Sequence, residues 1–546
     1  VTDEKRERAS KEVAMNAMNK VLDQYNSRVY KNRKEHMVDV NKNENNNEIS
    51  ANVRTIPGII TQRGCCYAGC KGVVVGPIKD AFIITHGPIG CAFYSWGTRR
   101  HKAKKGEGED NYLQYCFSTD LQEPDIVFGG EKKLKKAITE AMELFHPKTI
   151  MICSTCPVGL IGDDIHAVAK WAEKEYGIKC IAFSCEGYKG VSQSAGHHIA
   201  NNQLIKYVIG EGDREVTNKF AINLLGEYNI GGDGWETERL LKRCGYEVVS
   251  TFTGGAKMDD IANAHKANLS VVQCHRSINY IAELIETKYG IPWMKVNFVG
   301  VEATIESLRN MAKFFNDPEL TQRTEEVIAD ELDNIEQDMA YYKSKLKGKT
   351  AAIYVGGSRA HHYQFLLNDL GVHTVLAGYE FGHREEYEGR EVIPFVKIDA
   401  DSKNIESITV EPDMDKFHVC LSEEDLNKLK EEKLIDYYGG MVKDMPDGTY
   451  MVDDLNHFET EEFLKLLKPD IFFSGIKDKY VAQKGGTLSR QLHSYDYSGP
   501  YSCFRGAVNF ARDAAMGIYT PAWSYVKAPW TSAPILEGTM GGVEVC

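Results

Sequence analysis

Short apolar runs separated by amphipathic stretches recur from about Ile56 onward. The spacing predicts strands over Ala81–Thr85, Thr149–Cys153, Lys179–Ser184, Ser270–Gln273, Thr350–Val355, Val372–Ala377 and Asp470–Ser474. Val73–Val75 also reads as a short buried strand or a strand end. Helical periodicity follows from Asp163 to about Lys174, from Ser277 to about Lys288 and from about Ala360, and precedes the last strand over Thr460–Leu467. Strands alternating with helices imply parallel sheets covered on both faces. The charged segment Asp317–Lys347 reads as a long surface helix or a helix pair. Before Ile56 the chain is charged, with a short helix over about 10–25. The polar tract at 41–48 reads as a flexible or partner-bound arm. A less periodic, charged stretch over about 388–450 reads as an insertion.

The chemistry-bearing residues fall after the strands. Cys156, Cys185, Cys274, Gly356-Gly357 and Gly475 all follow predicted strands, and ligands of open α/β sheets bind beyond the carboxyl ends of strands. Several such ends can converge on one cavity.

At 546 residues the chain is too long for one ordinary core. The expected division is an N-terminal arm over 1–50 and α/β units over 51–215, 216–348 and 349–546. A net charge of −13 argues against a nucleic-acid partner. No apolar run approaches the roughly 20 residues that span a bilayer, and no apolar leader opens the chain, so a cytoplasmic location is expected. Fourteen cysteines in such a chain fit reduced thiols that bind metal better than a disulfide scaffold.

Four constellations stand out. Cys65, Cys91 and Cys156 lie on separate loops, with glycines such as Gly64, Gly69, Gly87 and Gly90 allowing the backbone close to a bulky inorganic group. Three thiolates leave a common cluster incomplete, and a second chain supplying more would put it at a subunit interface. Cys153-Ser154-Thr155-Cys156 has the spacing of a redox pair, but Pro157, Gly159 and Gly162 favour a ligand loop. Cys274 and His493, far apart in sequence, do not make a zinc site; two ligands can pin a large preassembled cofactor. Taken alone, each also reads as a core thiol or a surface imidazole. Gln193, Ser194, His197 and His198 are polar groups among small residues, suited to hydrogen bonding or proton transfer near neutral pH, or to capping a helix. Gly356, Gly357 and Arg359 offer N–H groups and a guanidinium to an anion or an electron-rich cluster. No phosphate-binding G-x-x-x-x-G-K-[ST] loop occurs, so nucleotide hydrolysis would belong to a partner.

Taken in order from about Arg54 to about Trp530, these motifs resemble the nitrogenase component-one family, in particular its molybdenum–iron alpha subunits. The matching stretches include RGCxYAGxKGVV, HGPIGC, STDLQEPDIVFGG, CPVGLIGDD, GVSQSxGHHIAN, GEYNIGGD, CHRSINYI, GGSR, GYEFGH, SGIKDK and HSYDYSGPY. The resemblance implies three Rossmann-like α/β domains with parallel sheets flanked by helices and a cofactor held between them. It implies that Cys65, Cys91 and Cys156 are this chain's ligands of an [8Fe–7S] P-cluster completed by a beta subunit. It implies that Cys274 and His493 bind an iron–molybdenum cofactor, with Gln193 and Lys477 holding its homocitrate. His197 matches an imidazole facing a cofactor sulfide, Arg99 and Arg359 the nearby arginines, and Val73 the side chain over the substrate face. Ser194, Tyr228, Arg276, Ser277, Gly356, Gly357 and Phe381 match the cofactor pocket.

The implied activity is reduction of dinitrogen to ammonia with hydrogen evolution, acetylene and protons being alternative substrates. Electrons would come from a separate iron protein that hydrolyses MgATP and docks on an alpha-two beta-two heterotetramer. Asp478, Tyr495 and His275 depart from many relatives, and the 388–450 insertion resembles a branch with longer alpha subunits. A vanadium or iron-only enzyme and a non-catalytic cofactor-assembly scaffold are the competing readings. His493 together with all three cluster cysteines counts against the scaffold.

Overall fold

The computed structural model describes residues 17–43, 48–51, 53, 64–97, 110–190, 192–356, 358–380, 382–395, 405–492 and 498–525. Its strands form three sheets. The first runs Phe117–Ser118, Phe82–His86, Thr149–Ser154, Lys179–Phe183, all parallel. The second runs Glu247–Thr253, Ala221–Glu227, Leu269–Val272, Trp293–Lys295, also all parallel. The third has six strands: Met37–Asp39, Tyr450–Val452, His373–Gly378, Thr350–Tyr354, Ile471–Ser474 and Ser489–Gln491. Only its first pair is antiparallel. The mixed α/β class with helix-flanked parallel sheets is the one the periodicity implies.

The helix Ile165–Tyr176 shows how the sequence sets these units. Ile165, Val168, Ala169 and Ala172 recur at helical spacing and are buried. The Asp164 carboxylate accepts from the Ala167 N–H at 2.9 Å. Gly177, at φ +65°, ends the helix in the left-handed conformation that glycine tolerates. One apolar core runs from Val38 to Ala515 and draws on all three sheets, through Ile83 and Met151, Ile222 and Val271, and Ala351 and Ile353.

Two expectations are corrected. Val73–Val75 is not strand but the end of a π-helix, Ala68–Val75. Cys156 does not sit on an open loop: it is the first residue of the helix Cys156–Ile161, with Pro157 in the first turn and Gly162 as its left-handed cap. Residues 317–347 hold a single 29-residue helix, Pro318–Leu346. Its Glu331 is fully buried and pairs with Arg239 at 2.7 Å and with Arg243.

The described part of the N-terminal segment is tied down. Arg33 and Glu459, both fully buried, form a two-pronged pair at 2.7 and 2.9 Å. The segment from Ile405 to Asp436 packs over the helix His275–Tyr289: the Tyr280 hydroxyl accepts from Ile408 N–H at 3.0 Å, and Asp413 N–H donates to the Lys288 carbonyl at 2.9 Å.

Candidate functional site

Segments that precede or follow strands of all three sheets line one cavity. Val73 enters it from the π-helix, and Gln193, Ser194 and His197 from the first turns of the helix Gln193–Tyr207. Gly226, Glu227 and Tyr228 come from the end of Ala221–Glu227, and Cys274 from just beyond Leu269–Val272. Gly356 and Arg359 follow Thr350–Tyr354, and Tyr379 and Glu380 follow His373–Gly378.

Gln193 shows why glycines surround this site. A Cβ on Gly64 would lie 2.7 Å from its Oε1, and one on Gly356 would lie 3.0 Å from its Nε2. The preceding Ser192 caps the helix, its Oγ accepting from Ser194 N–H at 3.2 Å. The capping role and the polar-site role expected of this motif therefore coexist. Cys274 stands at the N-terminus of the helix His275–Tyr289, where exposed N–H groups favour negative charge. The Ser358 hydroxyl donates to its sulfur at 3.7 Å. Gly226, at φ +79°, lets the backbone pass close by: a Cβ there would lie 2.7 Å from the Cys274 nitrogen.

The charged groups of the cavity are coupled. The Glu227 carboxyl is fully enclosed, and burial, together with the nearby Asp233 charge, pushes it up to about 8 despite Arg359. Asn229 N–H donates to its Oε1 at 2.7 Å. Asp233 takes N–H bonds from Tyr501 and Ser502 at 2.7 and 3.0 Å and lies 3.6 Å from Arg359. His362 is buried and pushed well below the usual imidazole range by burial and by Lys295. Its Nε2 and the Tyr379 hydroxyl have no hydrogen-bond partner among the described residues, although both residues line the cavity. Buried polar atoms left in this way point to a further group completing the site.

Cys65, Cys91 and Cys156 gather elsewhere. Cys65 and Cys91 are exposed and Cys156 half-buried. A Cβ on Gly187 would lie 3.0 Å from the Cys156 sulfur and 3.4 Å from that of Cys65. Burial, followed by the facing Cys65 and Cys156 thiols, pushes the Cys91 thiol up. Thr155 latches the two strand ends together, its N–H and hydroxyl both donating to the His86 carbonyl, at 3.1 and 3.0 Å. The His86 ring bonds Asp163 and the Thr119 hydroxyl, each at 3.0 Å. Large apolar side chains lie exposed beside the thiols in sequence: Ile89 at 60 %, Tyr94 at 72 % and Leu160 at 77 %.

Of the residues expected at the site, the cavity thus collects Val73, Gln193, Ser194, His197, Tyr228, Cys274, Gly356 and Arg359. Arg276 and Ser277 lie on the helix His275–Tyr289 and Lys477 on Ile476–Lys484, and only the backbone of these three is described. Arg99, Gly357, Phe381 and His493 fall outside the described residues. Glu227, Asp233, His362, Tyr379 and Glu380 also line the cavity and carry no expectation from the sequence. Glu227 and Asp233 lie inside the GEYNIGGD motif, but nothing local marks either as a cavity group.

The family model for nitrogenase component 1 type oxidoreductases matches residues 65–519. The nitrogenase molybdenum-iron protein alpha chain of Clostridium pasteurianum is 59% identical over 520 residues, covering 95% of this chain and 97% of its own. That of Methanosarcina barkeri is 54% identical over 500 residues, covering 92% and 94%. The solved structure of nitrogenase Cp1 at pH 6.5 superposes with a TM-score of 0.90 at 59% identity, covering 94% of this chain and 100% of that one.

Proposed function

Because the chain belongs to the nitrogenase component 1 type oxidoreductases, among the molybdenum–iron alpha chains, we propose that its central cavity holds an iron–molybdenum cofactor with homocitrate. The family implies metal–sulfur clusters and a beta-subunit partner. In this reading Cys274 and His493 are the cofactor's protein ligands, and Cys65, Cys91 and Cys156 are this chain's share of an [8Fe–7S] P-cluster. The apolar surface beside those thiols is where the beta subunit covers them. An iron protein hydrolysing MgATP docks on the assembled heterotetramer and supplies the electrons.

When bound, the cofactor supplies electron storage and the place where dinitrogen, protons and acetylene are reduced. The chain's own residues bind, orient and charge-balance it. The Cys274 sulfur is a soft donor suited to iron. Gln193 and Lys477 hold the homocitrate carboxylates. Arg359 offers a guanidinium to an electron-rich cluster, and its position is set by Asp233 at 3.6 Å. His197 faces the cavity with an imidazole able to pass a proton. Burial and the Asp233 charge favour the protonated form of Glu227, whose Oε1 accepts from the Asn229 N–H. His362 and Tyr379 bring polar atoms that a bound cofactor can satisfy.

The observation that carries this reading is the convergence of Cys274, His197, Gln193 and Arg359, on segments that follow strands of three different sheets, on one cavity. Anaerobic purification with the beta partner, followed by metal analysis and acetylene reduction with iron protein, tests it. Molybdenum with abundant iron and MgATP-dependent acetylene reduction are expected. Vanadium, or iron alone, would contradict the cofactor assignment.

A further inference from the structure

Four chain segments carry two separate sets of thiols. One segment holds Cys65 and Cys70, the next Cys91, the third Cys153 and Cys156, and the fourth Cys185 beside Gly187. The outward set, Cys65, Cys91 and Cys156, is the one described above. Cys70, Cys153 and Cys185 point inward and are each 0% exposed. Their sulfurs all lie within 4.8 Å of one another, the one such group of three ligating side chains among the described residues.

We propose that Cys70, Cys153 and Cys185 form a trigonal binding site for a single soft monovalent cation, Cu(I), distinct from both clusters of the proposed function. The donor set is all sulfur, which selects thiophilic ions. It offers three ligands, with no histidine or carboxylate joining the group among the described residues, whereas structural zinc takes four. The three sulfurs come from a π-helix, from the strand Thr149–Ser154 and from two residues beyond its parallel neighbour Lys179–Phe183, so elements of regular backbone set their spacing. Cys185 is fixed further by Ser154, whose Oγ accepts from the Cys185 N–H at 3.2 Å and whose carbonyl accepts from the thiol at 3.5 Å.

Lys71, itself buried, lies close enough to act electrostatically on Cys153. Thiolates rather than thiols bind metal, so each thiol that coordinates Cu⁺ releases its proton, and Cu⁺ and Lys71 offset part of the negative charge this leaves. Because the site is sealed, loading accompanies folding or a local opening of these segments.

The test uses the assembled heterotetramer, purified without air from cells supplied with copper and then washed with a strong Cu(I) chelator. Copper and iron per alpha chain are measured together, and the copper environment is read by X-ray absorption. The expected result is one retained copper per alpha chain with three sulfur neighbours. Cys70→Ser and Cys153→Ser should each weaken retention by about 100-fold or more, since even outer-shell changes cost 10–100-fold. Cys116→Ser and Cys420→Ser, at exposed thiols, should leave it unchanged. Cys185→Ala replaces any serine variant that does not assemble. No retained copper, or retention equal in parent and site variants, would overturn the proposal. The readout is copper alone, so it stands or falls apart from the cluster assignments, which iron content and activity report.

Discussion

Glu227→Gln removes a titration that the fold has displaced. The parent carboxyl is fully buried at the cavity wall, and burial and Asp233 push it from 4.5 up to about 8. Below pH 4.5 it is neutral in both folded and unfolded chains and costs nothing. Between 4.5 and 8 the unfolded chain ionises while the folded chain holds the proton, so stability falls as pH rises, by about 1.4 kcal/mol per pH unit. Above 8 both forms are ionised and the loss is complete, at about 5 kcal/mol over the whole window. The glutamine variant has the shape of the protonated acid and keeps the bond from Asn229 N–H, but does not titrate. Its stability relative to the parent should therefore rise across that window and stay level outside it. Denaturant unfolding of both proteins at pH 5.5, 6.5 and 7.5 measures the slope. Infrared difference spectra should show a protonated-carboxyl band at neutral pH that disappears near pH 8 and is missing from the variant. A parent carboxyl already ionised at pH 6, or parallel stability profiles, would refute the reasoning.

Other outcomes follow from the same geometry. Arg33→Ala leaves Glu459 buried without its cation and should destabilise the protein by about 3–5 kcal/mol, read as a lowered urea midpoint and earlier proteolysis of the N-terminal segment. Gly187→Ala places a methyl 3.0 Å from the Cys156 sulfur and should lower cluster iron while leaving molybdenum in place, as metal analysis would show. Cys274→Ala should abolish molybdenum retention and acetylene reduction without changing the circular dichroism spectrum, because its half-buried thiol anchors no part of the core.

Apolar runs such as Thr149–Ser154 and Leu269–Val272 were legible as strands because they are bounded by clear breaks, whereas Ala221–Glu227 and Glu247–Thr253 carried no expectation. Val73–Val75 misled because a short apolar run does not distinguish a buried strand from a buried helical turn. Around Cys156, Pro157 and Gly162 read as loop residues in the sequence. A proline in the first turn and a glycine past the end are equally the marks of a short helix, which is what they form. Motif order located Cys274, Gln193, His197 and Arg359. Glu227 was missed because its displaced titration depends on Asp233 and on burial. Cys70, Cys153 and Cys185 are separated by long stretches of chain, and only the folded π-helix and paired strands bring them together.

The central claim is that the cavity between the three sheets, pinned by Cys274 and His493, holds an iron–molybdenum cofactor. The most direct measurement is molybdenum content with low-temperature electron paramagnetic resonance on the air-free heterotetramer, parent beside His493→Ala. Stoichiometric molybdenum and a high-spin cofactor signal are expected in the parent, both lost in the variant while P-cluster iron remains. A parent without molybdenum, or a variant that keeps both the metal and the signal, would contradict it.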